Sequence, residues 1–203
     1  KEGKIIKKTN VRPLIDNIKT NIKDFFLGKI KQKPPKYSAV KINGKRAYQL
    51  ARNNIYFETK FKEINIFSFK LKKVISKDLC QFEIECSPGT YIRSIARDLA
   101  TKLGTLGYAA EIIRKKNSYF CSKDAHNLKL FLNYSPAELK NCILPMDFVL
   151  KNYKEIELEK KYSEMLKNGK IIFIKKYDEL NIKNNLILVK SNKKLVSIAN
   201  LKK

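Results

Sequence analysis

Gln32-Lys33-Pro34-Pro35-Lys36-Tyr37-Ser38-Ala39-Val40-Lys41-Ile42-Asn43-Gly44-Lys45-Arg46-Ala47-Tyr48-Gln49-Leu50-Ala51-Arg52 is the stretch on which the reading of this chain turns. From Lys29 to Arg52 there are eight Lys or Arg and no acidic residue. Pro34-Pro35 forces an extended start and Gly44 permits a turn. A charge run of this kind is usually a solvated loop. Here Tyr37, Tyr48 and small residues interleave with the cations, which suits a surface that touches phosphates and bases. The segment departs from any core-forming pattern, so residues 29–55 are expected to form a basic insertion.

Upstream, Val11–Leu27 reads as a helix. Pro13 takes its first position, Leu14, Ile15, Ile18, Ile22, Phe25 and Phe26 form an apolar stripe, and Gly28 is the stop. Downstream, Glu63–Val74 and Gln81–Cys86 alternate in places and read as two antiparallel strands joined at Lys77-Asp78. Ser87-Pro88-Gly89-Thr90 breaks the second strand. A helix then runs to about Leu103, with Thr90 as its N-cap and Ile92, Ile95, Ala96, Leu99 and Leu103 on its apolar face. Ala109–Phe120 enters another strand, and Asp124–Asn133 and Ser135–Cys142 read as short helices. Leu144-Pro145-Met146-Asp147 marks a boundary between residues 1–146 and a small tail, 147–203. The tail holds a helix at Glu159–Asn168 and strands near Ile171–Ile174, Leu186–Val189 and Leu195–Ile198.

Composition sets the class of partner. With 44 Lys and Arg against 19 acidic residues the formal charge is +25, a field that favours polyanions, above all nucleic acid. Hydrophobic residues at 43%, with 11 Phe and 10 Tyr, are enough to bury a core. No run approaches the roughly 20 apolar residues of a membrane span, and no signal-peptide pattern is present. A soluble, cytoplasmic protein that is not exported is the expectation, and a monomer when intact. Cys80, Cys86, Cys121 and Cys142 contain no Cys-x-x-Cys pair and, with the single His126, match no zinc pattern. They read as buried thiols, and His126 as structural.

A second block shares the burden with the first: Ser87-Pro88-Gly89-Thr90-Tyr91-Ile92-Arg93-Ser94-Ile95-Ala96-Arg97-Asp98-Leu99. The two blocks, in this order, resemble the bacterial tRNA pseudouridine synthase B (TruB) family. The first matches Q-x-P-P-x-Y-S-A-x-K-x-x-G-x-x-x-Y-x-x-A-R at every stated position; the second is similar to S-x-G-T-Y-I-R-S-L-x-x-D-L. Agreement over some twenty residues is far more specific than a lone glycine pattern. A weaker third match sets Ile112-Ile113-Arg114-Lys115-Lys116-Asn117-Ser118-Tyr119-Phe120 against L-R-R-T-R-S-G-x-F, where Ile113 replaces an Arg and Ser118 a Gly. Leu144–Asp147 is similar to the family's junction with a PUA-like domain, of which the tail is a reduced form.

The resemblance implies an α/β (α+β) pseudouridine-synthase fold: a mixed, mainly antiparallel sheet flanked by helices and opened by the basic insertion. The insertion corresponds to a mobile thumb that closes on the T-arm of tRNA. This makes Tyr37, Lys41, Lys45, Arg46, Tyr48 and Arg52 RNA-contacting candidates, with Arg114, Lys115 and Lys116 from the third block. Tyr91 corresponds to a tyrosine beside the target base, Arg93 to the partner of a nucleophilic aspartate, and Ile112 to a pocket wall. An Arg in the first turn of a helix sits poorly against the helix dipole, a placement that makes sense if a carboxylate lies opposite. The implied reaction is isomerisation of uridine 55 to pseudouridine, with no metal or cofactor.

The family's G-x-L-D-P-x-A-x-G-x-L segment has no counterpart, since Leu-Asp-Pro occurs nowhere in the 203 residues. The expectation is a chain that begins inside the catalytic domain and is inactive alone. Asp98, Asp124 and Asp147 have structural readings and do not replace the nucleophile. The rival readings are a non-catalytic tRNA-binding module and a generic cationic nucleic-acid binder. The second explains the charge but not two ordered motifs.

Overall fold

A computed structural model describes residues 5–173 and 186–200. The chain divides into two compact units, Lys1–Ile113 and Arg114–Lys203. The first contains α1 (Ile15–Phe25), β1 (Gly28–Gln32), β2 (Lys41–Ile42), β3 (Lys45–Arg46), α2 (Ala47–Arg52), β4 (Lys62–Ser76), β5 (Leu79–Cys86) and α3 (Ile92–Lys102). Its sheet is antiparallel, in the order β1-β4-β5.

One face of that sheet is buried by two helices. Ile18, Ile22 and Phe26 from the first helical segment and Ile95 and Leu99 from α3 pack on Ile64, Ile66 and Phe69 of β4. Phe69 meets Phe26 and Phe82 edge-on, with ring centroids 6.1 and 5.5 Å apart. The inward residues of β4 change parity, from Ile64 and Ile66 to Phe69 and Leu71. A β-bulge causes this. Ile66 pairs with Cys86 but Ser68 with Glu85, so β4 spends two residues against one. The extra residue turns Phe67 outward, 59% exposed, and returns the following residues to the core in the opposite phase. On β5, Cys80, Phe82, Ile84 and Cys86 keep strict alternation.

Three expectations are corrected here. Pro13 precedes α1 rather than opening it, and Leu14 is the N-cap. Thr90 does not cap α3, because Tyr91 occupies that position and the Thr90 hydroxyl donates to the Ser87 carbonyl at 2.8 Å. The basic segment starts inside the sheet, since Gly28–Gln32 pairs with Lys62–Ile66. Lys29 and Lys31 point to solvent while Ile30 packs against the core and Gln32 is buried. Lysine on an edge strand blunts pairing with other chains, which is why charge concealed the strand.

The second unit contains β6 (Lys116–Asn117), β7 (Phe120–Cys121), α4 (Leu128–Phe131), α5 (Pro136–Asn141), β8 (Lys154–Glu157), α6 (Lys160–Lys167), β9 (Leu186–Ser191) and β10 (Lys194–Asn200). β9 lies between a parallel β8 and an antiparallel β10. Its core joins Ile156, Leu158, Ile187 and Val189 with Tyr162 and Leu166 of α6. Ser135 and Glu138 form the capping box of α5. Of the expected strand near Ile171–Ile174, the residues up to Phe173 are irregular and Ile174 lies outside the described residues. The Lys190 ammonium contacts Glu155 at 2.7 Å and Asp147 at 3.5 Å, and its bond to Glu155 is the main force holding its pKa up. Asp147 is thus a structural anchor within this unit.

The four cysteines are free, half-buried thiols. The His126 ring lies 5.6 Å from that of Phe131, among aromatic neighbours. Among the described residues no helix is long and apolar enough to cross a membrane.

Candidate RNA-binding and catalytic site

Strand β1 ends and β4 begins on the paired residues Gln32 and Lys62, and the intervening chain leaves the sheet as an excursion. Its neck is closed where the buried Thr59 hydroxyl donates to the Pro34 carbonyl at 3.0 Å. Beyond the neck, β2 and β3 form a hairpin around Asn43-Gly44, whose φ values of 48° and 81° fit the left-handed pair of a type I′ turn. The hairpin pairs Lys41 with Arg46 and Ile42 with Lys45, then runs directly into α2.

This small module gathers the predicted cations. Lys41, Lys45, Arg46 and Arg52 are exposed, while Ala47 and Leu50 are buried beneath them. The Arg46 guanidinium donates to the Ala39 carbonyl at 2.7 Å. That of Arg52 lies 5.5 Å from the Tyr48 ring centroid, a cation–π placement. Tyr37 is 57% exposed. The helix α2 was absent from the sequence reading, because six residues with two buried positions give too little periodicity.

The second motif meets the base of this module through a line of long-range hydrogen bonds. The Gln32 carboxamide accepts from the Tyr91 N–H at 2.8 Å and donates to the Tyr91 carbonyl at 3.1 Å. The Ser94 hydroxyl and the Arg97 guanidinium donate to the Lys33 carbonyl at 2.9 and 3.0 Å. Arg93 donates through Nη2 to the Tyr37 carbonyl at 2.9 Å. Gln32 and Ser94 are 2% and 0% exposed, so their bonds form largely away from water, where leaving the groups unpaired is costly, while those of Arg93 and Arg97 are exposed. Sequence reasoning assigned no role to Gln32, Ser94 or Arg97. Gln32 and Ser94 are polar residues at buried positions and both fall on stated positions of the two motifs, whereas Arg97 is exposed and carries no such signal.

Arg93 sits in the first turn of α3, exposed. Ion pairs among the described residues of this unit form at Arg12–Asp78, Lys29–Glu63, Lys33–Glu58 and Arg97–Asp98. Among the described residues, no carboxylate reaches Arg93. Ile112 is 52% exposed in an irregular segment. Arg114, Lys115 and Lys116 belong to the second unit, where β6 and β7 form a tight hairpin. Ser118 holds φ 54° in its turn, a left-handed conformation that accounts for the glycine of the related motif.

The turn before α3 depends on Gly89, at φ +82°, with the Lys62 ammonium 2.7 Å from where a Cβ would stand. Gly89→Ala is expected to lower stability by about 1–2 kcal/mol in urea denaturation, mainly through the left-handed backbone. Because the Lys62 tip can swing aside, adding Lys62→Ala should recover little. Full recovery would mean that crowding, not the backbone, sets the cost.

Residues 1–92 match the family model of the TruB family pseudouridylate synthase (N terminal domain). Curated relatives extend the match well beyond that range. The tRNA pseudouridine synthase B of Borreliella burgdorferi is 35% identical over 197 residues, 97% of this chain and 65% of that protein. The enzyme of the same name from Clostridium tetani is 35% identical over 169 residues, covering 83% and 57%. The chain belongs to the TruB family. It spans 57% to 65% of the length of these two TruB relatives.

Solved structures agree at the level of fold. A Cbf5-Nop10-Gar1 complex matches with a TM-score of 0.66 at 17% identity, over 95% of this chain and 57% of that one. An H/ACA RNP bound to a substrate RNA containing 2′-deoxyuridine matches with a TM-score of 0.64 at 15% identity, over 95% and 56%. The TruB chain therefore has the mixed helix and mainly antiparallel sheet architecture that its motifs imply.

Proposed function

We propose that the protein carrying this chain isomerises uridine 55 of the tRNA T-loop to pseudouridine, in the cytoplasm and as a monomer. These residues supply the RNA grip and the Tyr91–Arg93 part of the site. The observation that carries the reading is the hydrogen-bonded line joining Gln32, Lys33 and Tyr37 to Tyr91, Arg93, Ser94 and Arg97. It makes the base of the cationic module and the base-handling turn one piece. RNA held by the module is thereby tethered close to Tyr91 and Arg93.

In this reading the target base is flipped out, at a cost of roughly a few kcal/mol offset by stacking and pocket contacts. Tyr91 and Ile112 flank the detached base. The nucleophilic aspartate is held ionised by Arg93, a cation that does not lose its proton. It is supplied from outside these 203 residues, which contain no Leu-Asp-Pro. Lys41, Lys45, Arg46 and Arg52 grip the T-arm phosphates, with Tyr37 and Tyr48 as stacking surfaces. Arg114, Lys115 and Lys116 extend the contact, and no metal takes part.

Binding tests the grip. Four phosphate contacts give a log–log salt slope of about −3 to −4 for a T-arm stem-loop, or roughly a hundredfold loss of affinity from 50 to 200 mM salt. Removing Lys41 or Lys45 should reduce that slope by about one. Equal affinity for the stem-loop and a random duplex would instead favour a generic cationic binder. A second reading, a tRNA-binding module without chemistry, is favoured by the lack of a carboxylate at Arg93 among the described residues. Turnover of the stem-loop by the native protein separates it from the first. Turnover by these 203 residues alone would refute the external aspartate.

A further inference from the structure

We propose that Gln32 is a positioning residue: its carboxamide, rather than a cap of the helix itself, fixes where α3 begins and so where the Tyr91 ring stands. The proposal rests on the function just given and adds the residue that aligns its site.

Helix α3 has no side-chain cap. Tyr91 is its N-cap, with φ −96° and ψ 103°, and makes no capping bond. The neighbouring Thr90 hydroxyl is turned back to the Ser87 carbonyl. Gln32, 2% exposed at the end of β1, fills the role from a different element. One amide matches both groups of one residue, accepting from the Tyr91 N–H and donating to its carbonyl. That carbonyl also receives the first helical bonds, from the Ser94 N–H at 3.0 Å and the Ile95 N–H at 3.1 Å. Gln32 therefore grips both peptide groups that flank the Cα of Tyr91, the residue from which the helix grows.

Only a side chain with a donor and an acceptor side by side, at glutamine's reach, satisfies both. Ser94 does not substitute, because its hydroxyl is committed to the Lys33 carbonyl. The RNA-gripping cations lie on β2, β3 and α2, away from this contact. Loss of the Gln32 amide should therefore displace Tyr91 without weakening the grip, and affect turnover more than affinity.

Gln32→Glu converts this into a pH-dependent readout. One carboxylate oxygen still accepts from the Tyr91 N–H, but the other, when ionised, faces the Tyr91 carbonyl and repels it. Burial and that contact favour the neutral acid and outweigh the solvent-screened cations around it, Lys62 on the paired strand, the adjacent Lys33, and Arg93 and Arg97 along the same line. Its pKa therefore rises above the ordinary glutamate value of about 4.3. Protonated, it donates where glutamine donates. Gln32→Met keeps the shape and loses both bonds at every pH.

The experiment measures kcat and KM for a T-arm stem-loop with the native protein from pH 5.5 to 8.5, with thermal unfolding as a control on folding. Hydrogen exchange at the Tyr91 amide is followed in the same native protein without RNA. At pH 8 the expected kcat of Gln32→Glu is about ten- to a hundredfold below wild type, one to two hydrogen bonds' worth, with KM within about threefold. Its ratio to wild type rises as pH falls, while the ratio for Gln32→Met stays low and flat. Tyr91 amide exchange is faster than wild type in Gln32→Met, and in Gln32→Glu at high pH only. Wild-type exchange in both variants, a pH-flat ratio for the glutamate, or a loss confined to KM overturns the proposal. If the native protein converts no uridine, the functional reading falls, and amide exchange still decides whether Gln32 sets Tyr91.

Discussion

Replacing Arg93 by alanine is expected to lower turnover of a T-arm stem-loop by the native protein about 10³-fold, with stem-loop affinity changed by no more than a few-fold. Arg93 is exposed in these residues. The size follows from the proposed site, where it is one member of a desolvated charge pair and its loss costs roughly 3–5 kcal/mol because the remaining charge is left unpaired. Arg93 is already oriented: its Nη2 donates to the Tyr37 carbonyl, one of five guanidinium donors. The remaining donors can meet a carboxylate as a fork. Arg93→Lys keeps the charge and loses the fork, so an intermediate loss is expected. Arg97→Ala provides the contrast. Arg97 lies one turn further along α3, and among the described residues its side chain bonds Lys33 O and Asp98; its removal should leave most activity. Turnover that survives Arg93→Ala would end the assignment of Arg93 as the aspartate's partner.

The second large effect concerns the core that holds α3 in place. Ile95→Ala should destabilise the first unit by about 3–4 kcal/mol, and Ile95→Val by about 1. Ile95 is 1% exposed in the cluster shared by both helices and β4, where a lost methyl group leaves space that a sheet backed by two helices refills poorly. Urea denaturation gives the total, and hydrogen exchange of the β4 amides assigns it to this unit. A cost below about 1 kcal/mol for the alanine would mean that α3 shifts to close the cavity. Because Tyr91 and Arg93 lie in the same helix's first turn, such a shift would also change kcat.

How far the fold was legible depended on whether one residue carried one signal. α3, β5 and the Lys77-Asp78 turn were readable because each has an unbroken period or an unambiguous breaker. β4 was legible in kind but not in phase, since the bulge at Phe67 interrupts its alternation and only pairing with β5 reveals it. β1 was lost because Lys29 and Lys31 announce surface while Ile30 and Gln32 belong to the sheet. The candidate site divides similarly. Tyr91 and Arg93 came from motif resemblance, and the structure adds the contacts made by Gln32, Ser94 and Arg97 across some sixty positions of sequence. No local period encodes a contact of that range.

The neck of the basic module has a consequence for how such proteins diversify. Its two ends are the paired residues Gln32 and Lys62, so the excursion starts and finishes about 5 Å apart and the sheet register is indifferent to what lies between. Doubling or halving a loop anchored in this way changes its closure entropy by only about 0.6 kcal/mol. Segments of very different length fit this anchor, altering the charged surface the module presents while Ile64 and Ile66 stay in the core. The constraint on such a graft is narrow: it must leave Gln32 at one end, and present carbonyls like those of Lys33 and Tyr37 to the helix beside it.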